Sequence, residues 1–364
     1  MPKPRLMKIL HLNTERTWRG GEQQCLYLLQ GLKRHNISSD LVCQPKSPME
    51  DRARRLNIRV LPVSMHGEVD PRAIVQLRRL IVKGEYDIVH SHTSHAHTLA
   101  FWACIGISIV RLVTRRVDFS IFRHSFLGLS SIKYRHMADF YIAVSHKIKA
   151  VLVGDGIATS RIFVVHSGVD IDRFAASSCD HLVTEFDVRS EERVVLNVAH
   201  LAGHKGHRYL LKAIPLVLKE VPSARFLVVG GGQLKSELMD LTNRLNLKNR
   251  VVFTGFRNDI GAFYKLADLF VMSSVQEGLG TAVLDAMASG VPVVATRAGG
   301  ISECVHDGMT GKLVAAGDHY ALANAIVYML KHPNEARCTA ELATRMARQH
   351  FSVKAMVEKN VGVY

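Results

Sequence analysis

Two acidic side chains eight residues apart, Glu277 and Asp285, are the strongest candidates for chemistry in this sequence. The glycine turn at 278–280 follows an apolar run typical of a buried strand and precedes a stretch with helical periodicity. Glycines let the backbone approach a ligand closely, and the free N–H groups at a helix start suit an anion such as a diphosphate. Because eight residues are about two helical turns, we expect both carboxylates on one face, with Asp285 deeper in the anion site.

A cationic candidate, Lys205, lies in residues 197–206 after another strand-like run. A cation there is well placed to neutralise an anion such as a leaving diphosphate. Both motifs also have plainer interpretations. Lys205 could be an ordinary surface lysine. The Glu277 motif could be a tight turn with a solvated Glu, in which an acid near the helix start complements the helix dipole. The residues alone leave these alternatives open.

Two further glycine turns could face a phosphate or a sugar. Gly20 and Gly21 follow the first strand-like run, and the turn at 230–232 follows another. Each also fits a plain turn. The second turn lacks the G-x-G-x-x-G spacing with an acidic partner, so a dinucleotide cofactor such as NAD is weakly supported.

Histidines follow two other strand-like runs, His90 and His92 after one and His124 after the next, and His95 and His97 lie close by. A metal cluster is one interpretation. Alternating or helical histidines without a Cys or acid pattern are more typical of hydrogen-bonded packing, so we expect no metal site.

Residues 277–285 resemble the E-x7-E signature of family-4 glycosyltransferases, with Asp285 where the family has a second Glu. The resemblance spans nearly the whole chain and is most specific from residue 194 to 315. His200 stands where the family has Arg, and Ser167 where it has Asn. The other similar segments are 19–22, 87–92, 122–125, 143–145, 165–170, 197–206, 228–232, 253–256, 298–303 and 307–311.

The resemblance implies a catalytic set and a donor-binding set, with no metal ion and no cofactor. In the catalytic set, Glu277 would contact the donor sugar and Lys205 would stabilise the leaving phosphate. His92 and His124 would lie on the acceptor side, where an imidazole could orient a hydroxyl or relay a proton. The implied donor-binding residues are Gly20, Gly21, His200, Gly230, Phe256, Gly278, Leu279, Gly280, Thr281 and Asp285.

Two departures from the family pattern fall in the donor-binding set. Asp285 keeps a carboxylate but is one methylene shorter than Glu, which affects the contact to the ribose hydroxyls that the family's second acid makes. His200 replaces a permanent charge with a titratable one. A transferase that has lost its activity therefore stays an open interpretation.

Strand-like and helical segments alternate along the chain, which predicts α/β domains with parallel sheets and crossover helices. The resemblance implies the GT-B fold, in which two tandem Rossmann-like domains face a central cleft. The predicted parts are a basic acceptor domain, a linker, a nucleotide-sugar donor domain and a C-terminal helix that crosses back to the first domain, at 1–170, 171–192, 193–345 and 346–364.

The longest uncharged apolar segment, 99–110, is too short to span a bilayer and is interrupted at Arg111. We predict a buried core helix there and a strand at 117–122. The chain starts without a secretory leader pattern, and its six cysteines are scattered, which suggests reduced thiols and a cytoplasmic location.

Charge is distributed unevenly along the chain. Residues 1–170 carry 25 Lys and Arg against 13 Asp and Glu, so most of the net charge of +15 lies in the first half. This half is either a solvated basic surface or a surface that attracts something anionic, such as a membrane, a phosphorylated glycolipid or nucleic acid. We expect peripheral contact with an anionic membrane at the inner face of the cell membrane.

The primary hypothesis is a retaining glycosyltransferase that moves a sugar from a UDP- or GDP-sugar to a hydroxyl of a glycan or lipid-linked acceptor. The expected setting is the synthesis of cell-envelope polysaccharide or lipopolysaccharide. One alternative is a nucleotide-sugar epimerase or phosphorylase of the same fold. Another is a non-enzymatic nucleic-acid-binding protein using the basic half, but a nucleic-acid partner is not expected, because aromatic residues make up only 7% of the chain and form no base-stacking series.

Overall fold

The computed structural model describes residues 6–117, 135–175 and 177–364. Packing divides the chain into two compact units. The N-terminal unit comprises Met1–Gly168 together with Val353–Tyr364, and the C-terminal unit comprises Val169–Ser352. Each unit is built around a parallel sheet, so the predicted α/β class is confirmed.

The described part of the N-terminal unit contains a seven-stranded sheet in the order β3-β2-β1-β4-β5-β6-β7. Its strands are β1 (Lys8–Leu12), β2 (Ser38–Cys43), β3 (Arg59–Pro62), β4 (Ile88–Ser91), β5 (Val110–Arg115), β6 (Phe140–Ala143) and β7 (Ile162–Val164). The intervening helices are α1 (Gly20–Leu32), α2 (Pro48–Arg55), α3 (Pro71–Gly84), α4 (Ser94–Cys104) and α5 (His146–Gly154). The strand order reverses between β1 and β4, which makes this pair the topological switch point, where open α/β sheets bind ligands.

The C-terminal unit has a six-stranded sheet in the order β10-β9-β8-β11-β12-β13. Its strands are β8 (Arg193–Val198), β9 (Ala224–Val229), β10 (Val251–Gly255), β11 (Leu269–Met272), β12 (Val293–Thr296) and β13 (Lys312–Val314). Its helices are α6 (Asp180–Glu185), α7 (His207–Glu220), α8 (Lys235–Arg244), α9 (Ile260–Leu266), α10 (Thr281–Ala288), α11 (Ile301–Cys304), α12 (His319–Lys331) and α13 (Pro333–His350). Here the switch point lies between β8 and β11.

Local sequence explains where several of these helices begin. Asp70 accepts hydrogen bonds from the backbone N–H groups of Arg72 and Ala73 at the start of α3, and Ser145 caps α5 in the same way. The central strands are continuous apolar runs, as expected for strands covered by helices on both faces. These cores hold the carboxyl edges of the two sheets in place.

The last helix, α14 (Val353–Val363), packs in the N-terminal unit against α1. Met356 and Val357 are buried in a cluster that includes Ile9 and Tyr27. A Cβ atom on Gly31 of α1 would lie 2.3 Å from Val357 Cγ2, so the absence of a side chain at Gly31 lets the two helices approach closely.

The prediction of one buried helix over 99–110 is wrong. Helix α4 ends at Cys104, the chain turns at Gly106 with a φ of 73°, and β5 begins at Val110. The isoleucines at 105, 107 and 109 favour extended backbone, and the glycine stops the helix. Of the strand predicted at 117–122, Val117 lies outside any strand, and residues 118–122 lie outside the described part of the chain. Within the described residues, no helix has both the length and the apolar character needed to cross a bilayer.

Candidate active site

Two loops meet at the switch point of the C-terminal unit. Strands β8 and β11 are paired in register, so the loops that leave their carboxyl ends, 199–206 and 273–280, start side by side. The backbone N–H groups of Val275 and Gln276 donate to the carbonyl of His204, at 2.8 and 3.2 Å. The Ser273 hydroxyl donates to the carbonyl of Lys205 at 3.1 Å. These bonds fix the backbone of one loop against the other.

Lys205 and Glu277 form an ion pair between these two loops. Lys205 Nζ donates to Glu277 Oε2, and the same oxygen accepts a hydrogen bond from the Ser274 hydroxyl at 3.2 Å. The two side chains are only 17% and 13% exposed. Charges this well shielded from water interact more strongly than surface charges do, and both remain accessible to a ligand.

Gly206 allows the Lys205 loop to lie against β11. Its φ is 66°, and a Cβ atom would lie 2.0 Å from the carbonyl oxygen of Ser273, closer than any real side chain can approach. Only glycine is compatible with this position. The position of Lys205 beside Glu277 therefore depends on its neighbour in the sequence.

Helix α10 begins immediately after this loop. Gly278, Leu279 and Gly280 are buried, and Gly280, with a φ of 88°, precedes Thr281 as the first helical residue. The backbone N–H of Gly300 donates to the carbonyl of Glu277 at 3.3 Å, which holds the turn in place. The free N–H groups and the positive end of the helix dipole follow Glu277, the partner of Lys205, by four residues, and they favour an anion.

Asp285 lies further along α10 and is partly buried. Burial is the main cause that raises the pKa of its carboxyl; the Arg173 guanidinium lowers this pKa, nearby Asp170 raises it, and the resulting value is about 6. Tyr264 lies nearby, and its hydroxyl donates to the carbonyl of Ala282 at 3.1 Å. At neutral pH the carboxyl is largely ionised and can accept hydrogen bonds.

Three other predicted donor-binding residues also follow strands at this edge of the sheet. His200 is exposed in the loop after β8. Gly230 follows β9, and its approach to the carbonyl of Ala199 places the two loops in contact. Phe256 follows β10 and is exposed. The structure thus brings the C-terminal predicted residues to the carboxyl ends of four neighbouring strands.

A histidine that the sequence reasoning missed, His207, lies just after Lys205 at the start of α7. Burial, together with the smaller effects of Lys205, His200 and His204, lowers the pKa of its imidazole to about 4. His207 is therefore neutral at pH 7, so it adds no charge to the loop that carries Lys205.

In the N-terminal unit, the predicted loop residues Gly20 and Gly21 are the first two residues of α1. The Glu22 carboxylate accepts hydrogen bonds from the Arg19 backbone N–H at 3.1 Å and from Asn13 Nδ2 at 3.3 Å. Burial raises the pKa of Glu22. A Cβ atom on Gly21 would lie 3.3 Å from Arg116 Cδ, so this loop lies against the arginine side chain that follows β5.

His92 belongs to a buried group with His11 and His90 at the switch point of the N-terminal sheet. Burial is the main cause that lowers the pKa of all three imidazoles, that of His11 to about 3. Arg116 Nη2 lies 3.4 Å from His92 Nδ1, and since a guanidinium only donates, His92 Nδ1 accepts. Neutral His92 then donates from Nε2 to His11 Nδ1 at 3.0 Å. The proton positions are therefore fixed along this chain of side chains.

The ligand atoms of these three histidines lie within 4.8 Å of one another, close enough to hold a metal ion. However, His90 bonds the Tyr364 hydroxyl at 2.8 Å and Thr114 Oγ1 at 2.7 Å, using both ring nitrogens. The Nδ1 lone pairs of His92 and His11 also accept hydrogen bonds. The arrangement is that of a hydrogen-bonded cluster, which neutral imidazoles form without a cation.

Some predicted residues fall outside this description, and other residues were missed. His124 lies outside the described residues. His11, Arg116 and Tyr364 were not predicted. His11 and Arg116 could have been found by asking which polar side chains end or follow neighbouring strands, because these converge at one edge of a parallel sheet. The contact of Tyr364 depends on the packing of α14 and had no sequence signal.

Comparison with known proteins identifies the class of protein to which this chain belongs. The family described as Glycosyltransferase Family 4 matches residues 18–173, and the family described as Glycosyl transferases group 1 matches residues 192–332. The structure of HepE from Anabaena, in complex with UDP and glucose, superposes with a TM-score of 0.87 at 22% identity, covering 98% of this chain and 99% of that one. Sucrose-phosphate synthase from Thermosynechococcus elongatus superposes with a TM-score of 0.84 at 19% identity, covering 98% of each chain.

Curated relatives agree. The GDP-mannose-dependent alpha-(1-6)-phosphatidylinositol monomannoside mannosyltransferase of Mycolicibacterium smegmatis is 31% identical over 290 residues, which is 73% of each chain. The UDP-Gal:alpha-D-GlcNAc-diphosphoundecaprenol alpha-1,3-galactosyltransferase of Escherichia coli is 25% identical over 338 residues, covering 88% of this chain and 87% of that one.

The two parallel α/β units and these similarities define the protein as a glycosyltransferase with the GT-B fold. More narrowly, the chain belongs to glycosyltransferase family 4, within the group 1 glycosyl transferases. The resemblance stated from the sequence is confirmed.

Proposed function

We propose that this enzyme is a retaining glycosyltransferase that moves a sugar from a UDP- or GDP-sugar to a hydroxyl of a glycan or lipid-linked acceptor. The observation that carries the proposal is the Lys205–Glu277 ion pair, which lies at the switch point directly before α10. A cation, a carboxylate and a helix start in one place match the charges of a sugar diphosphate.

In this proposal, the donor diphosphate takes the place of Glu277 as the partner of Lys205. The acceptor hydroxyl oxygen forms a bond to the anomeric carbon as the bond between that carbon and the phosphate oxygen breaks. The electron pair of the broken bond stays on the diphosphate, which also takes up the hydroxyl proton. Lys205 Nζ and the N–H groups at the start of α10 stabilise this growing negative charge. The Glu277 carboxylate, released from the ion pair, accepts a hydrogen bond from a sugar hydroxyl and orients the sugar.

Other predicted donor-binding residues are assigned to parts of the donor from their positions at this edge of the sheet. Asp285 accepts hydrogen bonds from the ribose hydroxyls, while Gly230 and Phe256 lie beside the nucleotide. His200 adds positive charge near the diphosphate when its imidazole is protonated. On the acceptor side, His124 orients the attacking hydroxyl, and His92 does so by exchanging its hydrogen bond to Arg116 or His11 for one to the hydroxyl. The glycine loop at Gly20 and Gly21 lies near the donor phosphate.

The names of the relatives support the choice of donor and acceptor. One relative is named for UDP-galactose and another for GDP-mannose, so both bases are retained in the proposal. Both names also describe lipid-linked acceptors, a diphosphoundecaprenol and a phosphatidylinositol mannoside. We therefore place the reaction in the synthesis of cell-envelope polysaccharide or lipopolysaccharide, in the cytoplasm and at the inner face of the membrane.

Replacing Glu277 by Gln tests the site. The amide keeps the shape and a hydrogen-bond acceptor but loses the charge, so we expect a loss of about a hundredfold in turnover with little change in melting temperature. Turnover is measured with UDP- and GDP-sugars, either as transfer to a lipid-linked acceptor or as donor hydrolysis. Glu237→Gln is the matched control, because Glu237 forms an exposed ion pair with Arg208 in the same unit.

Full activity of the Glu277→Gln enzyme would show that this ion pair is not the active site. A melting-temperature panel with UDP, GDP and ADP tests the nucleotide site separately, since selective binding to the native state raises the melting temperature. No shift with any of the three would contradict the proposed donor site.

A further inference from the structure

One surface of the N-terminal unit exposes large apolar side chains. Val75 and Val82 of α3 are 48% and 59% exposed, and Trp102 and Ile105 at the end of α4 are 41% and 50% exposed. Arg78 Nη1 donates to the carbonyls of Ala103 and Ile105, at 3.1 and 2.6 Å, and so ties the two helices together here. We call this the α3–α4 surface; it comprises Arg72, Val75, Arg78, Arg79, Val82, Lys83, Trp102 and Ile105.

The spacing of these residues makes the surface continuous. Val75, Arg79 and Val82 are separated by four and then three residues, which places them along one face of α3. Arg78 links that helix to the carbonyl of Ile105, and the Trp102 ring packs edge-on against Phe101. The surface therefore presents apolar side chains and cations next to each other.

The surface is strongly cationic. Arg72, Arg78, Arg79 and Lys83 all belong to α3, a helix without an Asp or Glu, and residues 88–117 contain no acid either. Within the described part of the chain, none of these four cations forms an ion pair with a carboxylate. Four acids lie near the ends of the helix: Asp70 caps the start, Asp87 binds the Lys8 backbone N–H, Glu68 accepts a hydrogen bond from the Thr98 hydroxyl, and Glu85 is the C-terminal cap residue.

A second basic cluster of the N-terminal unit, on α2 and β3, differs in this respect. Arg54 pairs with Glu50 at 2.7 Å, Arg55 with Asp51 at 2.7 Å and Arg59 with Asp40 at 3.4 Å. These carboxylates largely neutralise the cluster. Of these two clusters, the one on the α3–α4 surface therefore keeps more of its positive charge uncompensated.

We propose that the α3–α4 surface docks on a bilayer that contains anionic phospholipid. The cations would face the phosphate groups, each strengthening binding by about fivefold, while Trp102 would lie at headgroup depth and the aliphatic side chains would enter the acyl boundary. A second copy of the chain fits poorly, because two like surfaces would bring four cations against four. Nucleic acid fits poorly too, because Val75, Val82 and Ile105 offer neither stacking nor hydrogen bonds, and Trp102 is the one aromatic ring among the residues that define this surface.

This inference rests on the proposed lipid-linked acceptor and deepens it by naming the surface that meets the lipid. Docking would concentrate the enzyme where such an acceptor is embedded. The interaction itself does not require donor turnover, so the two ideas can fail separately.

Sedimentation with vesicles tests the charge. We expect the wild-type enzyme to bind vesicles of 30% phosphatidylglycerol in phosphatidylcholine, and to bind pure phosphatidylcholine at least tenfold more weakly. The double variant Arg79→Glu and Lys83→Glu should lose at least tenfold in binding to the anionic vesicles. Its matched control, Arg54→Glu and Arg55→Glu, changes the net charge equally on α2 and should lose less than threefold.

The two tryptophans of the chain, Trp18 and Trp102, allow a second measurement. In a Trp18→Phe variant, Trp102 is the sole reporter, and its emission should shift to the blue and be quenched by brominated lipid when anionic vesicles are added. In a Trp102→Phe variant, Trp18 should show neither change. Both substitutions keep an aromatic ring, so folding should be preserved.

Several results would overturn the docking proposal. In the vesicle experiments, they are an equal loss of binding in the two charge variants, or equal binding of the wild-type enzyme to anionic and neutral vesicles. In the fluorescence experiments, the contrary result is quenching of Trp18 in place of Trp102. Salt-dependent RNA binding that Arg79→Glu abolishes, or a dimer that this variant dissociates, would identify a different partner. If the enzyme still shifts its melting temperature with UDP or GDP in any of these cases, the proposed function stands while the docking surface falls. If vesicle binding is as expected but UDP and GDP do not shift the melting temperature, the docking surface stands and the proposed function falls.

Discussion

At the scale of single residues, the position of each charged group is explained by what surrounds it. Lys205 and Glu277 were both predicted as catalytic residues, and the structure shows them as an ion pair. Sequence spacing could not show this contact, because the two residues are 72 positions apart and meet only through the pairing of β8 with β11. The family resemblance indicated that both residues are catalytic, and the fold brings their side chains into contact.

Asp285 gives a residue-scale prediction with opposite effects on stability and binding. Its pKa is raised to about 6 from an ordinary value of 3.8, so the folded state holds the proton more tightly than the unfolded chain does. The stability linked to Asp285 is therefore present below about pH 4, falls as the pH rises to about 6, and is absent at pH 7. Because the side chain is partly exposed, we expect Asp285→Asn to stabilise the protein at pH 7 by only about 1 to 2 kcal/mol.

The same substitution should weaken nucleotide binding, because an amide accepts hydrogen bonds from ribose less well than a carboxylate. Denaturant unfolding from pH 4 to 8 and calorimetric titration with UDP and GDP measure the two effects. Asp285→Glu is the comparison that keeps the charge. A less stable Asp285→Asn protein at pH 7 would mean that the carboxylate is well compensated by Arg173 and that burial does not dominate.

At the scale of elements, the sequence predicted strands best where apolar runs were bounded clearly. The run at 269–272 matches β11, and the helix after the glycine turn matches α10. The prediction failed at 99–110, where the end of a helix, a turn and the start of a strand form one apolar run. Hydrophobicity alone cannot distinguish a buried helix from a buried strand in such a run. The histidine cluster was visible as a motif, but its hydrogen bonds depend on β1, β4 and α14 coming together.

The loop after β8 gives an element-scale prediction with its own control. Gly206→Ala would put a methyl group 2.0 Å from the Ser273 carbonyl in a left-handed backbone, and we expect it to cost about 2 kcal/mol or more. The Lys205 loop would shift away from Glu277, so turnover should fall more than stability alone explains. Gly203→Ala, three residues earlier, meets no atom within 4 Å and should change stability little.

Denaturant unfolding and steady-state kinetics at saturating donor measure these two variants. Similar stability of the Gly206→Ala and Gly203→Ala proteins would mean that the loop accommodates the methyl group at little cost in free energy. A Gly206→Ala enzyme with full turnover would mean that the position of Lys205 does not depend on the close contact with β11.

At the scale of the whole molecule, the chain completes its first unit with its last helix. Met356 and Val357 of α14 join the core formed by Ile9, Tyr27 and Leu28, although more than 300 residues separate them in sequence. Sequence reasoning assigned this helix to the first unit only through the family resemblance, because the local sequence of α14 does not indicate which core the helix joins. The stability of the N-terminal unit is thereby linked to residues beyond the C-terminal unit.

The double variant Met356→Ala and Val357→Ala measures this link. Removing buried side chains from this cluster should cost about 3 kcal/mol or more, and the loss should fall on the N-terminal unit. Hydrogen exchange should speed up in β1, α1 and α14, while β8 and β11 keep their protection and UDP or GDP affinity stays within twofold. An Ala substitution at exposed Lys354 on the same helix is the control and should leave exchange unchanged. Faster exchange spread equally over β8 and β11, or a collapse of nucleotide affinity, would show instead that the two units unfold as one and that α14 supports the whole chain.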